Sequence, residues 1–395
     1  MSDLKKIAVL LNGPIKNDYR VIKIISSLSK KFEVSLFYMN GQSDDYTIFN
    51  EHVTLNSYTK PATFFNKIIQ NTLFYYEYSF LAKKVLNSSS TYDYIIANDL
   101  PTLLPAYKIA KKQHTKLIYD SHEIYIETIP QFFPKKAPFF KSLLFKLCEF
   151  TMKYSGRLIE KKIFKSTHCL ITVNESIKEY FNSIYKITRI EVLMNLPHLN
   201  KLPIPNPKID FKKEFGWSND DIVFLYQGVL NEGRGLRVLI ESMQKVPAKT
   251  KLVILGDGFI KPELIKLVEK NQLNEKVKFK NKVPLKELSF YTVAADFGIN
   301  LLEDINLSKK LASPNKLFEY IHAKIPVLCS KTPENDKILT EFNIGISTKN
   351  TTDEISNSMA KLTHSNRSKF KQNCELAAQK YNWEQQENIL YSVFK

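Results

Sequence analysis

The regular alternation of short and long apolar segments is the sequence feature that most constrains the fold. Short runs rich in β-branched and aromatic residues are each followed by a longer segment with helical periodicity. The strands predicted in this way are 6–11, 33–38, 93–97, 116–120, 168–173, 191–194, 222–226, 251–255, 277–280, 296–301 and 326–329. This order is typical of βαβ units and parallel sheets, so we predict an α/β protein.

A proline-rich stretch divides the alternation into two halves. Four prolines fall between residues 197 and 207, and such a composition breaks periodic structure. We therefore predict two doubly wound domains, at 1–197 and 211–380, joined by a linker at 198–210 and followed by a C-terminal segment at 381–395. Ligands of such sheets bind beyond the carboxyl ends of the strands, so two sheets facing each other would place a site in the cleft between them.

Charge and cysteine content narrow the class of protein. The chain of 395 residues has a formal net charge of +17, which favours an anionic partner: nucleotide phosphates, nucleic acid or an acidic lipid surface. The four cysteines show no paired spacing, so neither a disulfide framework nor a C-x-x-C metal site is indicated and a reducing cytoplasm is expected. The first apolar run ends at Asn-Gly-Pro, as a strand entering a turn would. Because no stretch approaches about 18 uninterrupted apolar residues, any membrane contact is expected to be peripheral.

The segment 313–320, SPNKLFEY, has the pattern of a helix start with charged side chains. We predict Ser313 as the N-cap and Pro314 as the first helical residue. The free N–H groups of that helix end and the ammonium of Lys316 would together bind a diphosphate. Glu319 shares a helix face with Asn315 and Lys316 and could accept hydrogen bonds from ribose hydroxyls. The alternative is an ordinary capped helix with a surface Lys–Glu pair.

Two further loops follow predicted strands. The chain has only 11 glycines, and three of them, Gly228, Gly233 and Gly235, lie within eight residues of each other around Arg234. Such a backbone turns tightly or approaches a ligand, and arginine can bind phosphate oxygens bidentately. The second loop, 256–258, has the sequence Gly-Asp-Gly. Each loop could equally be a plain strand-to-helix turn, and for 256–258 that interpretation is favoured.

These segments resemble the retaining nucleotide-sugar glycosyltransferases of family four, which have the GT-B fold. In the second half the resemblance is carried, in order, by 226–228, 234–235, 255–258, 283–284, 295–299 and 313–327. The first half matches more loosely, at 17–21, 97–101, 119–123, 171–175 and 192–195. Residues 381–383 look like the start of the family's final helix, which crosses back to the first domain.

The resemblance implies transfer of a sugar from a nucleotide-diphosphate donor to an acceptor with retention at the anomeric carbon. Glu319 would hold the ribose, Arg234 and Lys316 would neutralise the departing diphosphate, and Val283 and Leu285 would flank the base. The implied donor site is Gly13, Gly228, Arg234, Gly256, Val283, Leu285, Ser313, Asn315, Lys316, Leu317 and Glu319. The implied acceptor site is Arg20, Asp99, His122 and Glu123, and the implied catalytic set is His122, Arg234, Lys316 and Glu319.

His122 follows a strand end, and the resemblance places it beside the donor sugar as a neutral, hydrogen-bonding imidazole. Its alternative role is that of a structural histidine next to Asp120 and Glu123. For Asp99 the alternative is an N-cap for the helix that begins near Pro101. There is no D-x-D motif, so no divalent metal or other cofactor is predicted.

The sequence departs from the family pattern at two positions. Leu311 stands where the family has the first of two glutamates separated by seven residues, and Val229 stands where many members have an arginine. We expect Lys316 and the helix terminus to take over both functions, and Glu303 or Asp304 to replace part of the missing carboxylate.

Two segments, 63–85 and 132–153, mix aromatic residues with lysines. Such segments can lie on an anionic bilayer, which predicts a lipid-linked or surface-polysaccharide acceptor at the inner face of the cytoplasmic membrane. The alternative is a core helix with lysines extending outward.

Three other functions stay open at the level of sequence. A sugar-nucleotide epimerase can share the GT-B fold, although its carboxylate and histidine pattern is not evident. A nucleic-acid binder would explain the charge, but no arginine-rich or aromatic nucleic-acid module occurs, so no nucleic-acid partner is predicted. A catalytically silent GT-B scaffold that recruits a partner transferase is suggested by Leu311 and Val229.

Overall fold

The protein is described by a computed structural model over residues 4–42, 47–59, 79–88, 90–134, 138–199, 209–365 and 367–395. The chain divides into two compact units. Unit 1 is Met1–Met194 with Glu387–Lys395, and unit 2 is Asn195–Gln386. Most of the predicted linker, and residues 63–78 of the first aromatic segment, lie outside the described residues.

Unit 1 contains a parallel sheet whose described strands follow the order β3-β2-β1-β4-β5-β6-β7. The strands are β1 Lys6–Leu10, β2 Glu33–Met39, β3 Val53–Tyr58, β4 Tyr94–Asn98, β5 Lys116–Asp120, β6 Cys169–Thr172 and β7 Ile190–Val192. The strand order reverses between β1 and β4, so the loops at the carboxyl ends of these two strands diverge there. This switch point is where ligands of doubly wound sheets bind.

The helices of unit 1 connect consecutive strands and cover the sheet. They are α1 Tyr19–Leu28, α2 Ser79–Asn87, α3 Asp99–Gln113, α4 Tyr125–Thr128, α5 Phe139–Ile163 and α6 Glu175–Tyr185. The starts of α1 and α6 are fixed by side chains: Asp18 accepts a hydrogen bond from the Val21 N–H, and Asn174 accepts one from the Ile177 N–H.

Unit 2 repeats this architecture in a parallel sheet with the order β10-β9-β8-β11-β12-β13. Its strands are β8 Ile222–Gln227, β9 Thr250–Leu255, β10 Val277–Lys280, β11 Phe297–Asn300, β12 Val327–Ser330 and β13 Gly345–Thr348. The reversal falls between β8 and β11. Two parallel α/β sheets with central switch points confirm the predicted pair of doubly wound, Rossmann-like domains.

The helices of unit 2 enclose a core in which the rings of Phe224 and Phe297 stack 4.8 Å apart on the two switch-point strands. The helices are α7 Phe211–Phe215, α8 Leu236–Ser242, α9 Lys261–Lys270, α10 Leu285–Val293, α11 Leu307–Lys310, α12 Asn315–His322, α13 Pro333–Phe342, α14 Thr352–Thr363, α15 Arg367–Lys380 and α16 Trp383–Ser392. The last of these begins in unit 2 and ends in unit 1.

Every predicted strand is present, with ends that differ from the prediction by one or two residues at most. Two edge strands, β3 and β13, were not predicted. β3 has the sequence VTLNSY and is largely half-buried or exposed, and β13 is the short segment GIST. β3 alternates apolar with polar residues and β13 has one large apolar residue, Ile346, so neither has the continuous apolar run that marks the central strands.

The C-terminal residues 387–395 are integrated into unit 1. The Tyr94 hydroxyl donates to the Phe394 carbonyl at 2.7 Å, and the Tyr391 hydroxyl donates to the Ser27 carbonyl at 2.9 Å. The Phe394 side chain is buried, with its ring 5.0 Å from that of Tyr94 and 5.3 Å from that of Phe32. Unit 1 therefore needs the end of the chain to complete its core. No helix in the described part of the chain is both long enough and apolar enough to cross a membrane.

We expect Phe394→Ala to lower the free energy of unfolding by about 3–5 kcal/mol, because it leaves a cavity beside Tyr94. Urea unfolding followed by circular dichroism measures the change. Phe259→Ala is the matched control, since Phe259 is 93% exposed and its loss should change stability little. Equal effects of the two substitutions would show that the chain end contributes little to unit 1.

Candidate functional site

The N-terminus of α12 lies at the switch point of the unit 2 sheet, and Tyr320 fixes it there. The Tyr320 hydroxyl donates to the Leu225 carbonyl of β8 at 2.9 Å and lies 3.2 Å from the Ile299 carbonyl of β11. It also accepts a hydrogen bond from the Gln227 N–H. The ring fits because β11 has Gly298 at this point, where a Cβ atom would lie 2.4 Å from the ring.

The predicted cap of this helix is wrong by one residue. Pro314 occupies the N-cap, with an extended ψ of 137° that keeps it outside the helix, and no side chain caps α12. Ser313 consequently precedes the N-cap, and its hydroxyl is buried without a hydrogen-bond partner within the described ranges. The first-turn N–H groups thus have no side-chain acceptor, which leaves this end suited to an anion.

Lys316 is buried beside this helix end without an acceptor for its ammonium. The residue is 8% exposed, and Nζ lies 3.7 Å from the centre of the Tyr226 ring with no hydrogen-bond partner among the described residues. Burial, followed by the charge of Arg234, lowers the pKa of Lys316 well below its usual range. Charging a buried amine without an acceptor costs free energy, and an anion beside the amine would favour its protonated form.

Arg234 is carried by the loop between β8 and α8. It is close enough to Lys316 to help lower the pKa of that amine, and close enough to Tyr226 to oppose the rise in pKa, to about 12, that burial causes there. Gly233 and Gly235 on either side have φ angles of 81° and 66°, a conformation that favours glycine. The guanidinium is half-buried and forms no ion pair with any carboxylate in the described ranges. Arg234 and Lys316 therefore form a cationic pair whose charge is not neutralised by an ion-paired carboxylate.

Glu319 is held by a chain of side-chain hydrogen bonds that runs back to α10. Gln227 Nε2 donates to Glu319 Oε2 at 2.6 Å, while Gln227 Oε1 accepts from the Thr292 hydroxyl at 2.9 Å. Glu319 is thus a half-buried carboxylate of fixed orientation, one turn from the helix start. Sequence reasoning missed Gln227 and Thr292, although Gln227 stands directly before Gly228.

Gly228 and Gly256 bring two neighbouring loops into direct contact. Gly256 has a φ of 150°, and a Cβ atom there would lie 1.9 Å from the Gly228 carbonyl oxygen. This steric requirement supports the interpretation of 256–258 as a structural turn. A Cβ atom on Gly228 would itself lie 3.9 Å from Lys316 Nζ, so Gly228 leaves room beside the amine.

The remaining donor-side residues differ in accessibility. Asn315 is exposed at the first position of α12, while Val283 is half-buried and Leu285 is 44% exposed at the start of α10. Leu317 is fully buried, so its side chain is unavailable to a ligand and only its backbone remains a candidate.

The two carboxylates expected to compensate for Leu311 have different surroundings. Glu303 accepts a hydrogen bond from the Gly235 N–H at 3.1 Å, which places it against the Arg234 loop. Asp304 is exposed, with its Oδ2 atom 3.9 Å from Lys310 Nζ. The geometry therefore favours Glu303 as the carboxylate nearer Arg234 and Lys316. Val229, the other position that departs from the family pattern, is 54% exposed.

In unit 1 the predicted acceptor residue Arg20 is a buried structural anchor. Its Nη2 donates to Asp120 Oδ1 at 2.6 Å, and its Nη1 donates to the Leu193 carbonyl at 2.7 Å. Because Arg20 is 5% exposed and both groups occupy it, it is unsuited to contact an acceptor directly. Although burial opposes the effect, Arg20 and His122 hold the pKa of Asp120 well below its usual range.

His122 lies between two carboxylates. Its Nδ1 is 3.3 Å from Asp99 Oδ2 and its Nε2 is 3.3 Å from Asp120 Oδ2, while its backbone N–H donates to Asp99 Oδ1 at 2.9 Å. Burial lowers the pKa of His122, but Asp99 and Asp120 together raise it to about 9. The ring therefore carries a proton at neutral pH, and the expected neutral imidazole is wrong.

Asp99 is the first residue of α3, not a cap for a later helix start, and it has a positive φ of 58°. Burial raises the pKa of Asp99 to about 6 against the attraction of His122. Glu123 is half-buried nearby, and its charge raises the pKa of Asp99 further. Gly13 borders open space in the turn after β1.

Within the described residues no group of three or more His, Cys, Asp or Glu side chains could hold a metal ion, and metal-independent chemistry stays a prediction.

Comparisons with known proteins match this architecture. Residues 207–381 match the family described as Glycosyl transferases group 1. An uncharacterised glycosyltransferase of Methanocaldococcus jannaschii is 27% identical over 197 residues, which are 47% of this chain and 46% of that protein. The chain thus aligns with about half the length of this curated relative.

Solved structures match almost the whole chain at low sequence identity. The Anabaena protein HepE in complex with UDP and glucose has a TM-score of 0.74 and 15% identity, with 99% of both chains covered. Sucrose-phosphate synthase from Thermosynechococcus elongatus has a TM-score of 0.75 and 15% identity, covering 99% of this chain and 98% of that one. WaaG, a glycosyltransferase involved in lipopolysaccharide biosynthesis, has a TM-score of 0.67 and 16% identity, with 97% of both chains covered. The chain has the GT-B fold, and its residues 207–381 match the glycosyl transferases group 1 family.

Proposed function

We propose that this protein is a hexosyltransferase that moves a sugar from a nucleotide-diphosphate sugar to an acceptor with retention of anomeric configuration. The observation that carries the proposal is the buried amine of Lys316, which has no acceptor in the described part of the chain and lies beside a helix start without a side-chain cap. A silent scaffold would gain nothing from such an arrangement, whereas a diphosphate would supply the missing partner. The UDP and glucose in the HepE complex support a nucleotide sugar as that ligand.

Transfer breaks the bond between the anomeric carbon and the β-phosphate oxygen and forms a bond between that carbon and an acceptor hydroxyl oxygen. The diphosphate leaves with the electrons of the broken bond, and the hydroxyl proton passes to it. Negative charge therefore grows on the phosphate oxygens in the transition state. Lys316, Arg234 and the first-turn N–H groups of α12 are the groups in unit 2 that can stabilise it. In the protein without ligand, the pKa of Lys316 is lowered, which disfavours the charged amine. A bound diphosphate raises that pKa and favours the protonated form, whose attraction to the phosphate grows as negative charge develops.

Glu319 is proposed to accept hydrogen bonds from the ribose, and Gln227 to orient it. The hydrogen bond from Gln227 Nε2 to Glu319 Oε2, at 2.6 Å, fixes the orientation of the carboxylate, and a carboxylate oxygen can accept more than one hydrogen bond. Val283 and Leu285 then provide apolar contact for the base at the adjoining loop.

Unit 1 is proposed to supply the acceptor side. His122 is proposed to stabilise developing negative charge through the positive charge of its imidazolium, because its two ring nitrogens face Asp99 and Asp120. Asp99 and Glu123 can accept hydrogen bonds from acceptor hydroxyls. The acceptor is proposed to be a lipid-linked or surface-polysaccharide glycan at the cytoplasmic face of the membrane. The likeness to WaaG, described as involved in lipopolysaccharide biosynthesis, supports this acceptor class.

We expect Lys316→Met to raise the Kd of UDP by about 10- to 100-fold, because it removes a charged hydrogen bond worth about 1.5–3 kcal/mol. The same change should leave the free protein equally stable or more stable, since the unpaired buried amine is replaced by an apolar side chain of similar length. Isothermal titration with UDP, GDP and ADP measures the first effect, and thermal unfolding measures the second. Lys371→Met, on the exposed face of α15, is the matched control.

Loss of nucleotide binding together with loss of stability would assign Lys316 a structural role instead. If the wild-type protein binds none of the three nucleotides, the scaffold alternative becomes the better explanation.

Glu319→Ala should raise the Kd of UDP by at least about tenfold. The wild-type protein should also bind 2′-deoxy-UDP more weakly than UDP, and this preference should disappear in Glu319→Ala, because both changes remove the same hydrogen bond. Gln227→Ala should reduce the preference without abolishing it. A preference for UDP that persists in Glu319→Ala would remove the ribose contact from Glu319.

His122 gives a pH-dependent prediction. Its folded pKa of about 9 exceeds the unfolded value of 6.5, so its contribution to stability is full below about pH 6.5 and is lost as pH rises through 9. His122→Gln should therefore be less stable than wild type by up to about 3 kcal/mol at pH 6, with a difference that shrinks toward pH 9.5. Urea unfolding at several pH values tests this, with Phe259→Ala as the non-titrating control. A difference independent of pH would contradict the ion pairs with Asp99 and Asp120.

A further inference from the structure

The helix α5 of unit 1 has two opposite apolar faces, and the fold uses only one of them. The buried face consists of Cys148, Met152, Gly156 and Ile163 together with Glu160. The other face, which we call the outer face, exposes large side chains over five turns, from 50% for Leu158 to 83% for Phe140. Its members include Phe139, Phe140, Leu143, Leu147, Phe150 and Tyr154.

The spacing of these residues shows that the outer face is a continuous stripe. At 100° per residue, Phe139, Leu143, Leu147, Phe150 and Tyr154 fall within one side of the helix, opposite to the buried set. Leu158 follows Phe139 by nineteen positions, so at 1.5 Å per residue the stripe is about 28 Å long. Contiguous exposed apolar surface of this extent marks an interaction site.

The charges along α5 favour one kind of partner. The helix carries six basic residues and two acidic ones, Glu149 and Glu160, and Glu160 is buried away from the surface. Glu149 is already paired with Lys153 at 3.1 Å. At 100° per residue, Lys146 lies along one border of the stripe and Lys161 follows the C-terminal end of the stripe. Protein interfaces are depleted of lysine at their centres, whereas lysines beside aromatic rings are typical of helices that lie on anionic lipid.

We propose that the outer face of α5 lies in the headgroup region of an anionic bilayer, with its rings and leucines at the acyl boundary. This inference rests on the proposed function for its purpose, because a lipid-linked acceptor requires unit 1 to reach the membrane. Within unit 1, Arg157 on α5 pairs with Glu127 on α4 at 3.3 Å, and α4 follows His122 by only three residues. Docking of α5 would therefore hold His122 and the neighbouring Asp99 near the lipid surface.

The test is flotation of the full chain with vesicles of phosphatidylcholine alone or mixed with phosphatidylglycerol. We expect wild type to bind the anionic vesicles preferentially and to be released by high salt. The triple variant Phe140→Ser, Leu147→Ser, Phe150→Ser should bind at least tenfold more weakly, with unchanged thermal unfolding. Phe259→Ser, on an exposed side chain of unit 2, is the matched control and should bind as wild type does.

Other occupants of the outer face give different results, each of which overturns the inference. Cover by another part of this chain would make the triple variant less stable. A second copy would appear as a wild-type dimer that the triple variant loses, measured by light scattering. Absence of vesicle binding, or equal binding to neutral and anionic vesicles, would exclude an anionic bilayer.

The inference and the proposed function can fail separately. Titration of UDP, GDP and ADP into the triple variant should give the wild-type affinities. Nucleotide binding without vesicle binding contradicts only the membrane inference, and vesicle binding without nucleotide binding contradicts only the proposed function.

Discussion

The position of the Tyr320 hydroxyl is the constraint on which the unit 2 site depends. It reaches the carbonyls of β8 and β11 where the strand order reverses, and it accepts the Gln227 N–H. Because Lys316 and Glu319 share the helix with Tyr320, this contact sets where both point. Gly298 is the necessary partner on the sheet, since any side chain there would occupy the space of the ring.

The charged clusters of the two units differ in whether their charges compensate each other. In unit 1 the charges compensate each other, because Arg20 neutralises Asp120 and His122 bridges Asp120 and Asp99. In unit 2 Lys316 and Arg234 repel each other, and neither has an ion-paired carboxylate among the described residues. A compensated cluster stabilises the folded chain, while an uncompensated one costs free energy that a ligand can recover.

The sequence allowed much of the fold to be predicted but only part of the site. The central strands were predictable because burial on both faces produces unbroken apolar runs, whereas β3 and β13 bury less and escaped detection. Arg20 looked like a ligand-binding residue because its partner Asp120 lies 100 residues away in sequence. The protonated state of His122 depends on two carboxylates from different strand ends, and no local pattern indicates their distance. Nothing in the local sequence distinguishes Gln227 from other strand residues, because its partners Thr292 and Glu319 come from α10 and α12.

The contact between Gly228 and Gly256 has a consequence for how the unit 2 site can diversify. With the carbonyl of one loop against the Cα atom of the other, this part of the site is built from main chain and tolerates no side chain at position 256. Homologous chains would have to keep this contact between the two main chains and vary elsewhere. In the segment from Glu303 to Leu311, Asp304 and Lys310 are exposed, so such divergence can accumulate at these two positions without loss of the fold.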